Sequence, residues 1–348
     1  TCALPISWRA HQQSQNARAN RETLVCRGIP DWNPKLWDYR DNPERSLSPS
    51  GIEELGGCPF AWFMSYVLNC MPYEQIDTSN KKQAAWLDAM ARGKLLHEIY
   101  EIFMIRAGWP IQRSQQKLLL EVVEELCEKY RTIIPPATYS AYIFGKESIK
   151  RDSLAFFERE CEAAASGSTK PIGFELSFGM PLNPDTQSQS GLDQAEPVAF
   201  KLPSGKNVNL KGRLDRIDED ADGISVWDYK TGSAKSYQPG GLRHDQGLLQ
   251  LAVYKYAVNQ ILAQKGDKRR VTGSGLYFPT VSGQGQRLVF DGSHETEIIA
   301  ERLDGLFDFL VEGRFQPEMF CEDCNALNIC PYAGLAAENP SSEKEEEQ

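Results

Sequence analysis

From residue 83 to 108 the apolar positions of QAAWLDAMARGKLLHEIYEIFMIRAG return every three or four places. Trp86, Met90, Gly93, His97, Tyr100 and Met104 fall on one stripe, which predicts a helix. Similar patterns predict helices over 114–131 and 148–165. Upstream, LSPSGIEELGGCPFAWFMSYVL offers Ser48 as an N-cap and Pro49 at the first helical position, with a break after Gly56-Gly57. The period then changes to two. IGFELSFGM places Phe174, Leu176 and Phe178 on one face and Glu175 and Ser177 on the other. AFKLPSGKNVNLKGRLDRID reads as a hairpin turning near Ser204-Gly205, and GISVWDYKTG as the next strand. A helix at 245–263, the strands VTGSGLYFP and QRLVF, and a helix at 294–312 complete the pattern. Helices, then strands, then helix and strand again predict an α/β domain with a mixed sheet. Residues 1–46 read as a flank or linker, 47–335 as a single domain with a loop insertion at 183–196, and 336–348 as a disordered acidic tail.

Bulk composition narrows the function. The chain of 348 residues carries a net charge of −10, which is not the global balance of a polyanion binder. The tail SSEKEEEQ and the run DEDAD at 218–222 hold much of that charge, and both read as solvated segments. Nucleic-acid binding would therefore need a local groove, aided by a cation that offsets the acids. No apolar run reaches membrane-spanning length and no signal-peptide pattern opens the chain, so a cytoplasmic protein that does not enter a membrane is expected. Nine cysteines without a secretory signal point to metal ligation or core thiols rather than a disulfide framework. The opening TCALPIS resembles the in-frame translation of a common sequencing adapter, which would make these residues non-native and the chain the tail end of a truncated gene.

The candidate chemistry lies in the strands. Side chains two apart on a strand share a face, so Asp228 and Lys230 in VWDYKTG project the same way. In VNLKGRLDRID, Val208, Leu210, Gly212 and Leu214 form one face, and Lys211, Arg213, Asp215 and Ile217 the other. If the two strands pair through the turn at 219–223, Asp215 and Asp228 come within a few ångströms of each other. Two carboxylates that close ionise together best with a cation between them. Mg²⁺ suits a site of few carboxylates that leaves room for water. An ammonium at Lys230 could then orient or deprotonate a water and offset negative charge in phosphodiester cleavage. The bland alternative is a surface ion pair before a turn.

GRLDRID followed by VWDYKTG closely resembles the PD-(D/E)XK nucleases, in particular their RecB-like group. GKLLHEIYE (93–101) resembles the group's upstream helix motif, which gives His97 a place beside the metal. GFELSF resembles the strand that supplies a further acid, here Glu175, and QLAVY (250–254) resembles the Gln-x-x-x-Tyr helix motif through Gln250 and Tyr254. The resemblance implies a restriction-endonuclease-like mixed central sheet flanked by helices. It implies Mg²⁺ or Mn²⁺ held by His97, Asp215 and Asp228, with Lys230 on the attacking water and Glu175, Gln250 and Tyr254 arranging the site and strand. A leucine, Leu214, stands where the family name writes proline, a common departure in the group.

CEDCNALNICPY carries Cys321, Cys324 and Cys330, and Cys58 in GGCPFAWF also precedes proline and an aromatic. By chemistry alone, four thiolates fit tetrahedral zinc as well as an iron–sulfur cluster. One distant cysteine and a C-terminal trio resemble the iron–sulfur nucleases of the AddB type and the CRISPR adaptation exonucleases, which implies a 4Fe-4S cluster clipping the N- and C-terminal segments together. Such a clip would close a loop of roughly 260 residues and stabilise the fold by about 5 kcal/mol on loop-entropy arithmetic. The resemblance is closest to the nuclease domain of AddB-type helicase–nuclease subunits. It implies a DNA exonuclease acting on single-stranded ends in double-strand break repair and recombination, beside a helicase–nuclease partner subunit. The alternatives are a catalytically silent module that grips DNA ends and a stand-alone CRISPR adaptation exonuclease.

Overall fold

A computed structural model describes residues 37–70, 85–182, 190–238, 244–290, 295–313, 315 and 330, with backbone only at 244–248 and 295. Its helices are α1 (Pro49–Gly57), α2 (Pro59–Trp62), α3 (Ala89–Ala107), α4 (Gln116–Ile133), α5 (Tyr139–Ser166), α6 (His244–Gln264) and α7 (Glu295–Val311). Its strands are β1 (Lys170–Phe178), β2 (Val198–Lys201), β3 (Asn207–Leu210), β4 (Gly212–Glu219), β5 (Ile224–Tyr229), β6 (Val271–Phe278) and β7 (Gln286–Phe290). The chain forms two compact units, one of residues 1–75, 200–209 and 299–348, the other of 76–199 and 210–298. The expected 47–335 stretch runs through both.

In the first unit, Ser48 caps α1 as predicted, its Oγ accepting from the Gly51 N–H at 3.1 Å, with Pro49 at the first position. Cys58 separates α1 from α2 and caps the latter, Sγ accepting from the Ala61 N–H at 3.4 Å. The aromatic residues that follow build a small core. Trp62 is fully buried and stacks on Tyr66, and the Phe63 and Phe315 rings lie 4.2 Å apart.

The second unit holds the five-stranded sheet, in the order β1-β4-β5-β6-β7. Only the β5–β6 pairing is parallel, so the sheet is mixed, as predicted. Helices α3, α4 and α5 cover one face. Leu95, Leu96, Ile99, Tyr100 and Phe103 of α3 pack with Leu119, Val122 and Phe156 against Phe174, Trp227, Tyr229 and Tyr277 of the sheet. Leu251 of α6 packs on the opposite face against Leu276 and Phe278. β5 lies in the centre, and Val226, Trp227, Asp228 and Tyr229 are all buried, so both of its faces are covered.

The structure departs from the sequence reading at three places. α3 starts at Ala89, and its core stripe is 95, 96, 99, 100 and 103, so Met90 stands exposed instead of buried. α5 begins nine residues before the predicted helix, capped by Thr138, whose Oγ1 accepts from the Ala141 N–H. Asp218, read as part of a solvated acidic run, is fully buried. Arg216 explains it: Nε donates to Asp218 at 2.5 Å and Nη1 to Glu160 at 2.6 Å, with all three side chains inaccessible.

Candidate active site

The site forms where β1, β4 and β5 meet α3 and α6. β4 and β5 pair as far as Arg216 opposite Trp227, and Asp215 and Asp228 are the next residues beyond that last pair, close enough for the Asp215 charge to act on Asp228. On the other side, Phe174↔Arg216 and Leu176↔Leu214 bracket Glu175 and Asp215, which sets these two acids against each other as well. Glu175 has φ 47°, inside the left-handed region that a side-chain-bearing residue rarely occupies in a strand. Backbone strain of this kind persists where surrounding structure imposes it and clusters at functional sites.

α3 brings His97 to this pair of acids. Ligand atoms of His97, Glu175 and Asp215 all lie within 4.8 Å of one another, the spacing of a group able to hold one metal ion. His97 Nδ1 is 3.4 Å from Asp215 Oδ1, and Asp215 Oδ2 accepts the Tyr229 N–H at 2.6 Å. Burial works against a charge on His97, but Asp215, with Glu175 and Asp228, raises its pKa to about 9. Burial and the Asp215 charge push Glu175 up to about 8, against the pull of His97. Asp215 itself is held below its usual value: burial opposes ionisation, and His97, the Tyr229 N–H and Lys230 overcome it. Without a cation His97 and Glu175 therefore keep extra protons beside an ionised Asp215, the electrostatic mark of a place where positive charge is wanted.

Asp228 belongs to a second cluster. Lys230 Nζ lies 2.7 Å from Asp228 Oδ2, and Gln250 bridges the two, donating from Nε2 to Asp228 Oδ1 at 2.7 Å and accepting from Lys230 at 3.2 Å. Burial raises the Asp228 pKa, with Lys230 opposing. Burial also disfavours the ammonium of Lys230, yet Asp228 holds its pKa above the usual value. One turn along α6, Tyr254 donates to the Arg213 carbonyl at 2.7 Å. The structure thus brings together His97, Glu175, Asp215, Asp228, Lys230, Gln250 and Tyr254. Asp228 is not within the 4.8 Å metal-ligand group, and Glu175 is.

The sequence reading missed Glu101, one turn after His97 on α3. It is buried, its Oε1 has no hydrogen-bond partner, and burial lifts its pKa to about 7 against the pull of Arg213. The i, i+4 spacing within GKLLHEIYE was the available signal. Of the proposed cysteine ligands, Cys58 and Cys330 are described and both belong to the first unit, whereas Cys321 and Cys324 lie outside the described residues.

The family model of the PD-(D/E)XK nuclease superfamily matches residues 46–331. The chain belongs to this superfamily. Among curated relatives, an ATP-dependent helicase/deoxyribonuclease subunit from Alkaliphilus oremlandii is 26% identical over 293 residues, covering 78% of this chain and 24% of that protein. The protein of that name from Alkaliphilus metalliredigens is 26% identical over 282 residues, 74% of this chain and 22% of its own length. The one from Pelotomaculum thermopropionicum is 28% identical over 246 residues, 66% of this chain and 19% of its own. The chain spans about a quarter or less of the length of these relatives. Among the described residues no helix is long and apolar enough to cross a membrane.

Proposed function

We propose that the chain is a Mg²⁺- or Mn²⁺-dependent deoxyribonuclease that hydrolyses phosphodiester bonds at single-stranded DNA ends. It would serve as the nuclease part of an AddB-like subunit, with a helicase–nuclease partner, in double-strand break repair and recombination. The observation that carries this reading is the convergence of His97, Glu175 and Asp215 within 4.8 Å, with Asp215 and Asp228 next to the last pair of β4 and β5.

His97, Asp215 and Asp228 would hold the cation, with Glu175 as a further oxygen donor; imidazole nitrogen and carboxylate oxygens suit Mn²⁺, and the carboxylates suit Mg²⁺. When bound, the ion supplies Lewis-acid polarisation of the phosphate and a more acidic water. Lys230 stays protonated beside Asp228, so its role is to orient the attacking water and to offset charge that builds on the phosphate. Gln250 fixes that ion pair from the helix side, and Tyr254 fixes the main chain of β4. Purified protein incubated with labelled single-stranded DNA and Mn²⁺, beside Asp228→Ala and Lys230→Ala, tests the reading. Degradation by the parent alone is expected. Equal degradation by all three would expose a contaminant, and none by the parent would leave a DNA-end-binding module.

The C-terminal cysteines and Cys58 would bind a 4Fe-4S cluster. A helix-capping thiol already aligned with a main-chain N–H, as at Cys58, suits a ligand whose sulfur accepts hydrogen bonds. Anaerobically purified protein should show a broad visible absorption band and contain iron; zinc in its place would overturn the cluster and keep the four-thiolate site.

A further inference from the structure

Three cations border the site, and they are committed to different degrees. Lys230 is paired with Asp228 at 2.7 Å and also donates to Gln250. His97 lies against Asp215. Arg213 stands two residues before Asp215 on β4, so the two side chains leave the strand on the same face. Its side chain is 56% exposed, and Nε lies 3.8 Å from Glu175 Oε2, a separation too long for a hydrogen bond. Its main chain, by contrast, is clamped. Tyr254 donates to the Arg213 carbonyl at 2.7 Å, and a Cβ on the preceding Gly212 would lie 2.9 Å from Phe178 Cζ and 3.2 Å from Tyr254 Cε1. The geometry is that of a charged head with freedom to turn on a root without it.

We propose that Arg213 is a phosphate-binding residue of this site. Its guanidinium leaves Glu175 when a divalent cation takes over that carboxylate's charge, and it then holds non-bridging oxygens of the DNA strand being cut. A planar guanidinium matches two phosphate oxygens at once, which an ammonium does not. Gln250 and Tyr254 then divide their labour, the first ordering Asp228 and Lys230, the second holding Arg213 in register. The inference rests on the nuclease reading above and has its own test.

The 348-residue chain is titrated against a fluorescent single-stranded oligonucleotide in Ca²⁺, by anisotropy, over a range of salt concentrations. Arg213→Gln should weaken binding about 10-fold at moderate salt and flatten the salt dependence by about 0.7, one phosphate contact on a single strand. Arg213→Lys should restore the salt slope with only part of the affinity. In Mn²⁺ turnover, Arg213→Gln should raise KM more than it lowers kcat. Unchanged affinity and slope in Arg213→Gln would overturn the proposal. So would tighter Mn²⁺ binding by calorimetry with DNA affinity untouched, because Arg213 would then be only the counter-ion of Glu175. A parent chain that binds the oligonucleotide and never cuts it sinks the nuclease reading alone, since anisotropy requires no cleavage.

Discussion

Asp215 and Arg216 are neighbours on β4, and they lead into two different electrostatic worlds. Behind the site, toward α5, Arg216 and Arg287 meet Glu160 and Asp218, two cations against two acids. Tyr229 and Tyr277 border that cluster, and the Arg287 guanidinium lies over Trp227 and Tyr277, 4.7 and 4.5 Å from the ring centroids. In front, His97, Lys230 and Arg213 meet Glu175, Asp215, Asp228 and Glu101, three cations against four acids, and Glu101 Oε1 has no hydrogen-bond partner. Burial is deeper behind, where Arg216, Glu160 and Asp218 are wholly inaccessible, than in front, where His97 keeps about a quarter of its surface. Buried charge alone therefore does not mark a working site. Charge left uncompensated beside an opening does.

The sharpest way to break this comparison is to neutralise one residue from each side. Asp215→Asn should lower Mn²⁺-dependent DNA cleavage by about 10³-fold or more, the scale of losing several kcal/mol of transition-state charge stabilisation. Mn²⁺ binding by calorimetry should weaken in the same variant. Cleavage within tenfold of the parent would remove Asp215 from the site. Glu160→Gln addresses the other side. Leaving Arg216 without half of its compensation should cost about 3–5 kcal/mol of stability in denaturant unfolding. Any folded fraction should bind Mn²⁺ as the parent does. Equal stability, or a specific loss of Mn²⁺ affinity, would erase the division between the two sides of β4.

A smaller contrast lies within the front itself, between Glu175 and Asp228. Glu175 sits in the 4.8 Å ligand group, whereas Asp228 is occupied by Lys230 and Gln250. If the ion takes Asp228 as the family resemblance implies, Asp228→Asn should weaken Mn²⁺ binding about as much as Glu175→Gln. If Asp228 serves mainly to hold Lys230, Asp228→Asn should bind Mn²⁺ well and fail to cut. Calorimetry beside a cleavage assay separates the two.

What the sequence made legible follows the strand period. A period of two and a short turn were enough to foresee a mixed sheet and the antiparallel pairing of β4 with β5 that brings Asp215 and Asp228 to its end, because register is fixed once one face must be buried. Glu175 was reachable only through the resemblance. Simple alternation put it on the solvent side of β1, and nothing in GFELSF announces a left-handed backbone at a glutamate. Arg216 was invisible as a core residue, because its partner Glu160 lies 56 positions away on α5. A charged residue at a buried strand position reads as an error until the facing helix supplies its counter-charge. Met90 failed for a different reason: the stripe was drawn through His97, whereas the buried face of α3 runs through Leu96, Ile99 and Phe103 and leaves Met90 on the exposed side.

The gentlest probe of the front is pH. His97 carries a folded pKa of about 9 against a reference of 6.5, so its contribution to stability is complete below pH 6.5 and disappears as pH rises through 9. Glu175 is raised to about 8 from 4.5, which means the fold favours its protonated form and loses stability as pH climbs from 4.5 through 8. Asp215 is shifted the other way and matters only in acid, where its stabilising charge is lost as pH falls below the reference value of 3.8. Between pH 6.5 and 8, then, His97 and Glu175 pull the same way, and His97 continues to 9. The cation-free protein should lose Tm steadily with rising pH when kept in chelator. A divalent ion replaces the protons that these groups hold, so its binding releases them and strengthens as pH rises. Added Mn²⁺ should raise Tm most near pH 9 and least near 6.5, with proton release detectable by calorimetry in buffers of different ionisation enthalpy. An Mn²⁺ effect on Tm that is flat across this range would mean that His97 and Glu175 do not share the ion. The front of β4 would then be no more a cation site than the back.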